Sequence, residues 1–463
     1  MNLPELYSAA REIFNEALKS VDAAEAVRRA VQIEDGHLKI LETTFSPRDL
    51  SAGLYSIAIG KAAHPMASAL SEILEERLKA CVIAAPPPIA DFALRNADWK
   101  TTNFIPQIRN PRSAFCNVFH GGHPLPNRES LEAARAAFDL LRRADRMRAL
   151  IIFLISGGGS AMMEWPRDES ITLEELRETN RVLVSCGASI AEVNSVRRAI
   201  SAVKGGKLAR HAAHCNQVSL IVSDTGAGEE DCVASGPTFK PPMNAPDPAS
   251  VITRYSLESK LPVSILRAIK LPVEKEASGS NNALRREHYV LLENSTALES
   301  AAEAARIRGF TVEIARDIVG QQIDEGCSLL LSRLYDLRRR TDKGRGVCLI
   351  SGGEFACPVR GSGIGGRNAE SVLRWAIELY ERADKKSHIV ALSAGTDGID
   401  GNSPAAGAIA DEKSAERARL LNMDARRFLD ESDAYTFFQQ LNDAIITGPT
   451  GTNVRDLRIM LAS

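Results

Sequence analysis

Five stretches of the chain are predominantly apolar, without polar alternation, and stop in glycine or small polar residues. They are LYSIAIGKAA (54–63), ALIIFLISGGGSA (149–161), VSLIVSDTGAG (218–228), GVCLISGGE (346–354) and IVALSAGTDG (389–398). A strand with one face in water alternates apolar and polar residues. An unbroken Val/Ile/Leu run suits a strand covered on both faces, as in a parallel sheet between helices. ESLEAARAAFDLLRRA, TALESAAEAARIRG and ESVLRWAIELYER have helical periodicity and supply the crossovers. The fold class that follows is α/β, built as three α/β/α layers. At 463 residues the chain has room for two or three domains.

In open parallel sheets ligands bind beyond the carboxyl ends of the strands, and every glycine cluster here sits at such an end. GSGIGGRN (361–368) has the spacing G-x-G-x-x-G. A dinucleotide finger also needs an acid about twenty residues further on for the ribose hydroxyls. That place falls in ADKKSH, and the next strand-tip acid, Asp397, is about thirty residues past the finger. Arg367 stands where the loop becomes a helix, adding a full charge to the helix dipole and its N–H groups. The readings are a phosphate loop contacting ligand through Gly363, Gly365 and Gly366, a dinucleotide finger, or a structural turn, and the arginine favours the first.

ISGGGSA offers Ser156, Gly157, Gly158, Gly159 and Ser160 as an anion nest, with a tight packing turn as the alternative. No G-x-x-x-x-G-K-[ST] occurs, and the H-R-D and D-F-G pair of protein kinases is absent. Lys61 follows a strand in AIGKAAHPMA and reads as a phosphate clamp or a solvated loop lysine. KGGKLA (204–209) is a second cationic glycine turn that offers Lys204 to a nucleotide. Asp224 and Asp397, just past strand ends, suit Mg²⁺ binding, proton abstraction or helix capping. His120 and His123 in HGGHP have no third partner at metal-ligand spacing, so no metal ligands are assigned.

A net charge of −2 gives no bulk attraction for nucleic acid or acidic membranes, and aromatics at 5% advertise no base stacking. Eight cysteines without a C-x-x-C read as reduced, buried thiols. No apolar run is long enough to span a bilayer, and the amphipathic N-terminus lacks a secretory h-region. A cytoplasmic protein is expected, with the mitochondrion as the other compartment, acting as a monomer or homodimer on a small molecule. Residues 4–32 and a stretch from about 48–53 read as helical. TFKPPMNAPDPASVI (238–252) reads as a connector, which divides the chain into domains 1–240 and 241–463. Residues 272–288 read as polar and mobile, 85–113 as a surface excursion.

GKAAHPMA, GHPLPNRES, LISGGGSA, NSVRRAISAVKGGKLA, ASGPT, ISGGE, GSGIGGRNAE, AGTDGIDG and TGPTGTNVRD occur in that order. In this the chain resembles, over nearly its whole length, the two-domain glycerate kinases with a C-terminal MOFRL domain. The resemblance implies a Rossmann-like and a MOFRL-type α/β domain with the active site in the cleft between them. It also implies ATP and Mg²⁺ as cofactors and D-glycerate as acceptor, phosphorylated on its 2- or 3-hydroxyl. The family's functional positions fall on Lys61, Asp224, Arg367, Asp397 and Asn453, with ISGGGSA against the nucleotide phosphates. The chain departs from the family pattern at Gly228-Glu229 and Asn402-Ser403-Pro404, where acids are usual, at Asn127, and at Leu292-Glu293-Asn294. A nicotinamide-dependent hydroxypyruvate reductase and a non-catalytic metabolite sensor are the alternative functions.

Overall fold

The computed structural model describes residues 1–87, 115–272, 284–342, 344–382 and 388–463. They form two units, one of Ala23–Leu291 and one of Met1–Asp22 with Leu292–Ser463.

The first unit opens with the helix Ala23–Ala30 and a small antiparallel meander of β1 (Val31–Glu34), β2 (His37–Ile40) and β3 (Thr43–Phe45). The helical reading is therefore wrong from residue 31, and 48–53 is turn. The residues of β1 and β2 do alternate, VQIE and HLKI on either side of an Asp35-Gly36 turn, a hairpin signal that the helical reading passed over. The main sheet follows, with β4 (Leu54–Ile59), β5 (Leu78–Ala85), β6 (Phe115–His120), β7 (Leu150–Ser156), β8 (Asn216–Val222) and β9 (Arg286–Leu292) in the order β6-β5-β4-β7-β8-β9. From β6 through β8 every neighbour is parallel. β4 and β7 are buried at every residue, which is why their sequences do not alternate. The helix Arg128–Met147 places Ala133, Ala137 and Leu141 in the apolar cluster that also holds Ile57, Val82 and Ala84.

The expected boundary near residue 240 is corrected by the packing. Val251, Ile252, Leu257, Leu261 and Ile265 form one apolar cluster with Leu176, Leu183, Val193 and Val196. The proline-rich connector thus lies inside the first unit, and the end of the stretch expected to be mobile is β9. Apart from residues 85–87, the expected surface excursion lies outside the described residues. The cysteines also differ from expectation. Cys81 and Cys116 are register partners on β5 and β6 with Cα atoms 4.5 Å apart, within disulfide reach, and they are bonded; the other six are free.

The second unit is a mixed sheet of β10 (Thr311–Ile314), β11 (Val347–Gly353), β12 (Ile389–Gly395), β13 (Gly407–Asp411), β14 (Ala444–Ile445) and β15 (Asp456–Ala462), in the order β10-β11-β15-β12-β13-β14. β11 and β12 point the same way, as their apolar runs suggest, but they are not neighbours. β15 lies between them, antiparallel to both. Burial on both faces, rather than parallel pairing, makes these runs continuous. Alternate residues serve two cores: Val347 and Leu349 meet the helices Ile323–Arg340 and Arg367–Glu381, while Cys348 and Ile350 meet Leu3–Ser20 and Asn294–Ile307. Among the described residues no helix is long and apolar enough to cross a membrane.

The N-terminal helix therefore belongs to the core of the second unit, where Phe14 is 1% exposed. Phe14→Ala is expected to cost about 3–5 kcal/mol. Hydrogen exchange checks this: protection should fall in β11, β12 and β15 and persist in β4, β7 and β8.

Candidate active site

In the first unit, β4, β5 and β6 run to one side and β7 and β8 to the other, so the strand order reverses between β4 and β7. The crevice beyond the carboxyl ends at such a reversal is where open α/β sheets bind ligands. Lys61 and the residue 156–160 loop occupy this place. Ser156 is fully buried, and its Oγ accepts from the Ala62 amide (2.9 Å) and donates to the Ile59 carbonyl (3.3 Å). It locks the two strand tips together rather than facing a ligand. The Lys61 amide donates to the Gly157 carbonyl at 2.9 Å.

Gly158 has φ +79° and caps a single helical turn, Gly159–Met162. A Cβ there would lie 3.1 Å from the His123 ring and 3.3 Å from the Lys61 side chain. His123 and Lys61 thus flank the glycine, a neighbour that the sequence gave no reason to choose over His120. Ser160 Oγ is 2.9 Å from Ser235 Oγ, which donates to Asn194 Oδ1, also at 2.9 Å. Three separate motifs therefore meet at one polar cluster. Asp224 is half-buried two residues beyond β8.

Lys204 is placed differently from expectation. It is 1% exposed, and its ammonium is paired with Glu164, which also accepts from Ser201 Oγ at 2.5 Å. Burial lowers the Lys204 pKa, and Glu164 opposes that shift. Lys204 holds the 201–207 turn from within, its ammonium turned to Glu164 rather than to the surface. In the same turn Lys207 donates to the Ser201 carbonyl at 2.6 Å, and burial brings its pKa down to about 8.

In the second unit Arg367 is the first residue of the helix Arg367–Glu381. Its Nε and Nη2 bind the two oxygens of Asp456 at 2.5 and 3.1 Å, and Nη2 also meets Glu354 at 2.9 Å. Burial alone would lower the guanidinium pKa, but Asp456, followed by Glu354 and Asp400, holds it above the ordinary arginine value.

The glycine loop before it differs from the expected phosphate cradle. Asp400 already takes the helix N-terminus, accepting from the Asn368 and Ala369 amides at 2.9 and 2.8 Å. Upstream, the Gly363 amide donates to the Glu431 carbonyl, Ile364 to Asp433 Oδ1 and Gly365 to Asn402 Oδ1. The glycines serve close packing: a Cβ at Gly363 would lie 2.4 Å from that of Asp433, and one at Gly366 would lie 2.4 Å from Asp400 Oδ1. Desolvation pushes the buried Asp400 carboxyl up to about 7 against the pull of those two amides. Asp397 Oδ1 accepts from the Ile399 amide at 3.1 Å in a local turn, and Asn453, 8% exposed, accepts from the Arg455 amide at 3.2 Å. Among the described residues no group of three or more His, Cys, Asp or Glu could hold a metal ion.

Known proteins extend this reading. Residues 9–270 match the model of a domain of unknown function, DUF4147, and residues 347–456 match the MOFRL family. A D-glycerate 2-kinase of Thermotoga maritima is 30% identical, with 96% of this chain and 99% of that one aligned. The crystal structure of a glycerate kinase from the same organism superposes with a TM-score of 0.76 at 28% identity, covering 99% of this chain and all of the other. The chain belongs to the two-domain MOFRL glycerate kinase family. A putative hydroxypyruvate reductase of Agrobacterium vitis is 32% identical over 94% of this chain and 99% of its own.

Within that family the Asn402 departure acquires a local role. Its side chain binds the Gly365 amide (2.8 Å) and the Gly363 carbonyl (3.2 Å), clamping the loop that precedes Arg367. Asp456, Asp400, Asn368 and Glu354 were not singled out from the sequence, although the motifs TGTNVRD, GTDGIDG, GSGIGGRNAE and ISGGE contain them. Removing one member of a buried ion pair costs about 3–5 kcal/mol. Lys204→Met should therefore lower the melting temperature and leave the KM for nucleotide close to wild type. A KM raised ten-fold or more at unchanged melting temperature would return Lys204 to the ligand site.

Proposed function

We propose that the protein is an ATP-dependent glycerate kinase that transfers the γ-phosphoryl group to D-glycerate, giving 2-phosphoglycerate and ADP. The observation that carries this is the placement of Lys61 and a glycine loop at the strand-order reversal of one unit, with a carboxylate-oriented arginine on the other. Phosphoryl transfer needs charge neutralisation and alignment more than covalent chemistry, and these groups supply both. Lys61 and Arg367 provide the cations. Asp224 takes the acceptor hydroxyl proton or stands close to the metal, Asp397 organises metal or acceptor, and Asn453 positions substrate. Gly157, Gly158 and Gly159 lie against nucleotide phosphate.

Mg²⁺ suits this donor set. It usually retains several waters and binds one or two carboxylates plus substrate phosphates rather than an all-protein cage. Asp224 is the carboxylate of the first unit that would hold it, and the metal would neutralise charge on the transferring group. Cytoplasmic location and the handling of a small free metabolite belong to the same reading.

A nicotinamide reductase is less well supported, because the amides of the only G-x-G-x-x-G loop are bonded to Glu431, Asp433, Asn402 and Asp400. ADP release from ATP, Mg²⁺ and D-glycerate, with phosphorus NMR of the product, decides between the two. Stoichiometric ADP with a phosphoglycerate signal is expected. NADH oxidation by hydroxypyruvate without ADP release would overturn the kinase. Arg367→Lys should lower kcat by about 10³ or more, because a lysine cannot keep the two-point contact to Asp456. Turnover within two-fold of wild type would remove Arg367 from the scheme.

A further inference from the structure

The two carboxylates on Arg367 are not equivalent. Asp456 is 1% exposed, begins a central strand, and also accepts from Asn368 Nδ2 at 3.0 Å. It is a fixed partner for the Nε/Nη2 edge of the guanidinium. Glu354 lies one residue beyond β11, keeps 36% of its side chain exposed, and meets Nη2 alone at 2.9 Å. A guanidinium has a second two-point face, formed by Nη1 and Nη2, which suits carboxylate and phosphate oxygens. Glu354 sits on one corner of that face.

We propose that Glu354 is a built-in stand-in for the substrate oxyanion, holding the Arg367 Nη2 donor that the ligand takes over on binding. This rests on the kinase reading and adds to it a residue that sets substrate affinity. The groups facing Glu354 are Arg367 from its helix, Asp456 from β15, Arg455 from the preceding loop and Asp397 from the loop after β12. Of the two carboxylates on Arg367, Asp456 is buried and also held by Asn368, whereas Glu354 is the more exposed and meets the outer donor, so Glu354 is the one that an arriving oxyanion displaces from Nη2.

Titration calorimetry on the full chain tests this, with D-glycerate and ATP as separate probes at about pH 8, where D-glycerate keeps its carboxylate ionised. Glu354→Gln should bind about ten-fold more tightly than wild type, the net worth of one charge-assisted hydrogen bond. Tightening toward D-glycerate alone identifies the oxyanion as the carboxylate, and toward ATP alone as phosphate. Should Glu354→Gln fail to fold, Glu354→Asp, with its charge withdrawn by one methylene, should also tighten binding. Weaker or unchanged binding in the variant overturns the proposal. Wild-type protein that binds neither probe and releases no ADP refutes the kinase reading itself.

Discussion

A carboxylate out of water is tolerated only where donors surround it, and the burial of Asp456 therefore dictates the positions of its neighbours. It is the first residue of β15, which runs antiparallel between β11 and β12, so it lies opposite Gly353 and Gly395 at their carboxyl ends. A parallel strand in the same place would have delivered its last residue there instead. Arg367 and Asn368 answer the charge directly. Arg458, two residues along on the same face of β15, is also buried. It donates to the Gly352 and Gly353 carbonyls at 2.6 and 3.2 Å and lies 3.6 Å over the Phe355 ring. Asn294 joins the same strand tips, donating to the Val454 and Asp456 carbonyls and accepting from the Gly353 amide. The orientation of the site arginine is thus inseparable from the closure of the sheet.

The parts of the molecule that could be read from sequence are those where one local pattern has one physical cause. An apolar run ending in Gly-Lys places Lys61 at a strand tip, and ISGGGSA does the same for the loop beside it. The G-x-G-x-x-G spacing has two causes, since glycine admits either a phosphate or a neighbouring chain segment, and here Gly361 and Gly363 admit residues 431–433 while Gly366 admits residues 400–401. Lys204 was misplaced because its partner, Glu164, comes from a distant turn. Asp456 and Asp400 look in sequence like any acid near a strand end; only the three-dimensional fold shows that each is enclosed by donors. The proline-rich segment resembles a linker, yet it leads into residues 251–268, which cover the apolar residues of the helices at 173–200.

The placement of β15 and of the N-terminal helix also bears on synthesis. The unit of Ala23–Leu291 contains one continuous span of chain and can assemble while later residues are still being translated. The other unit cannot. Its central strand is made after all its other strands, and before residues 456–462 leave the ribosome β11 and β12 lack the strand that joins them. Throughout that interval the helix Leu3–Ser20 has been made but has no core to enter, and its Leu6, Ile13 and Phe14 stay in water. The apolar face of the helix Leu3–Ser20 therefore stays uncovered until the strands of its own unit have been made.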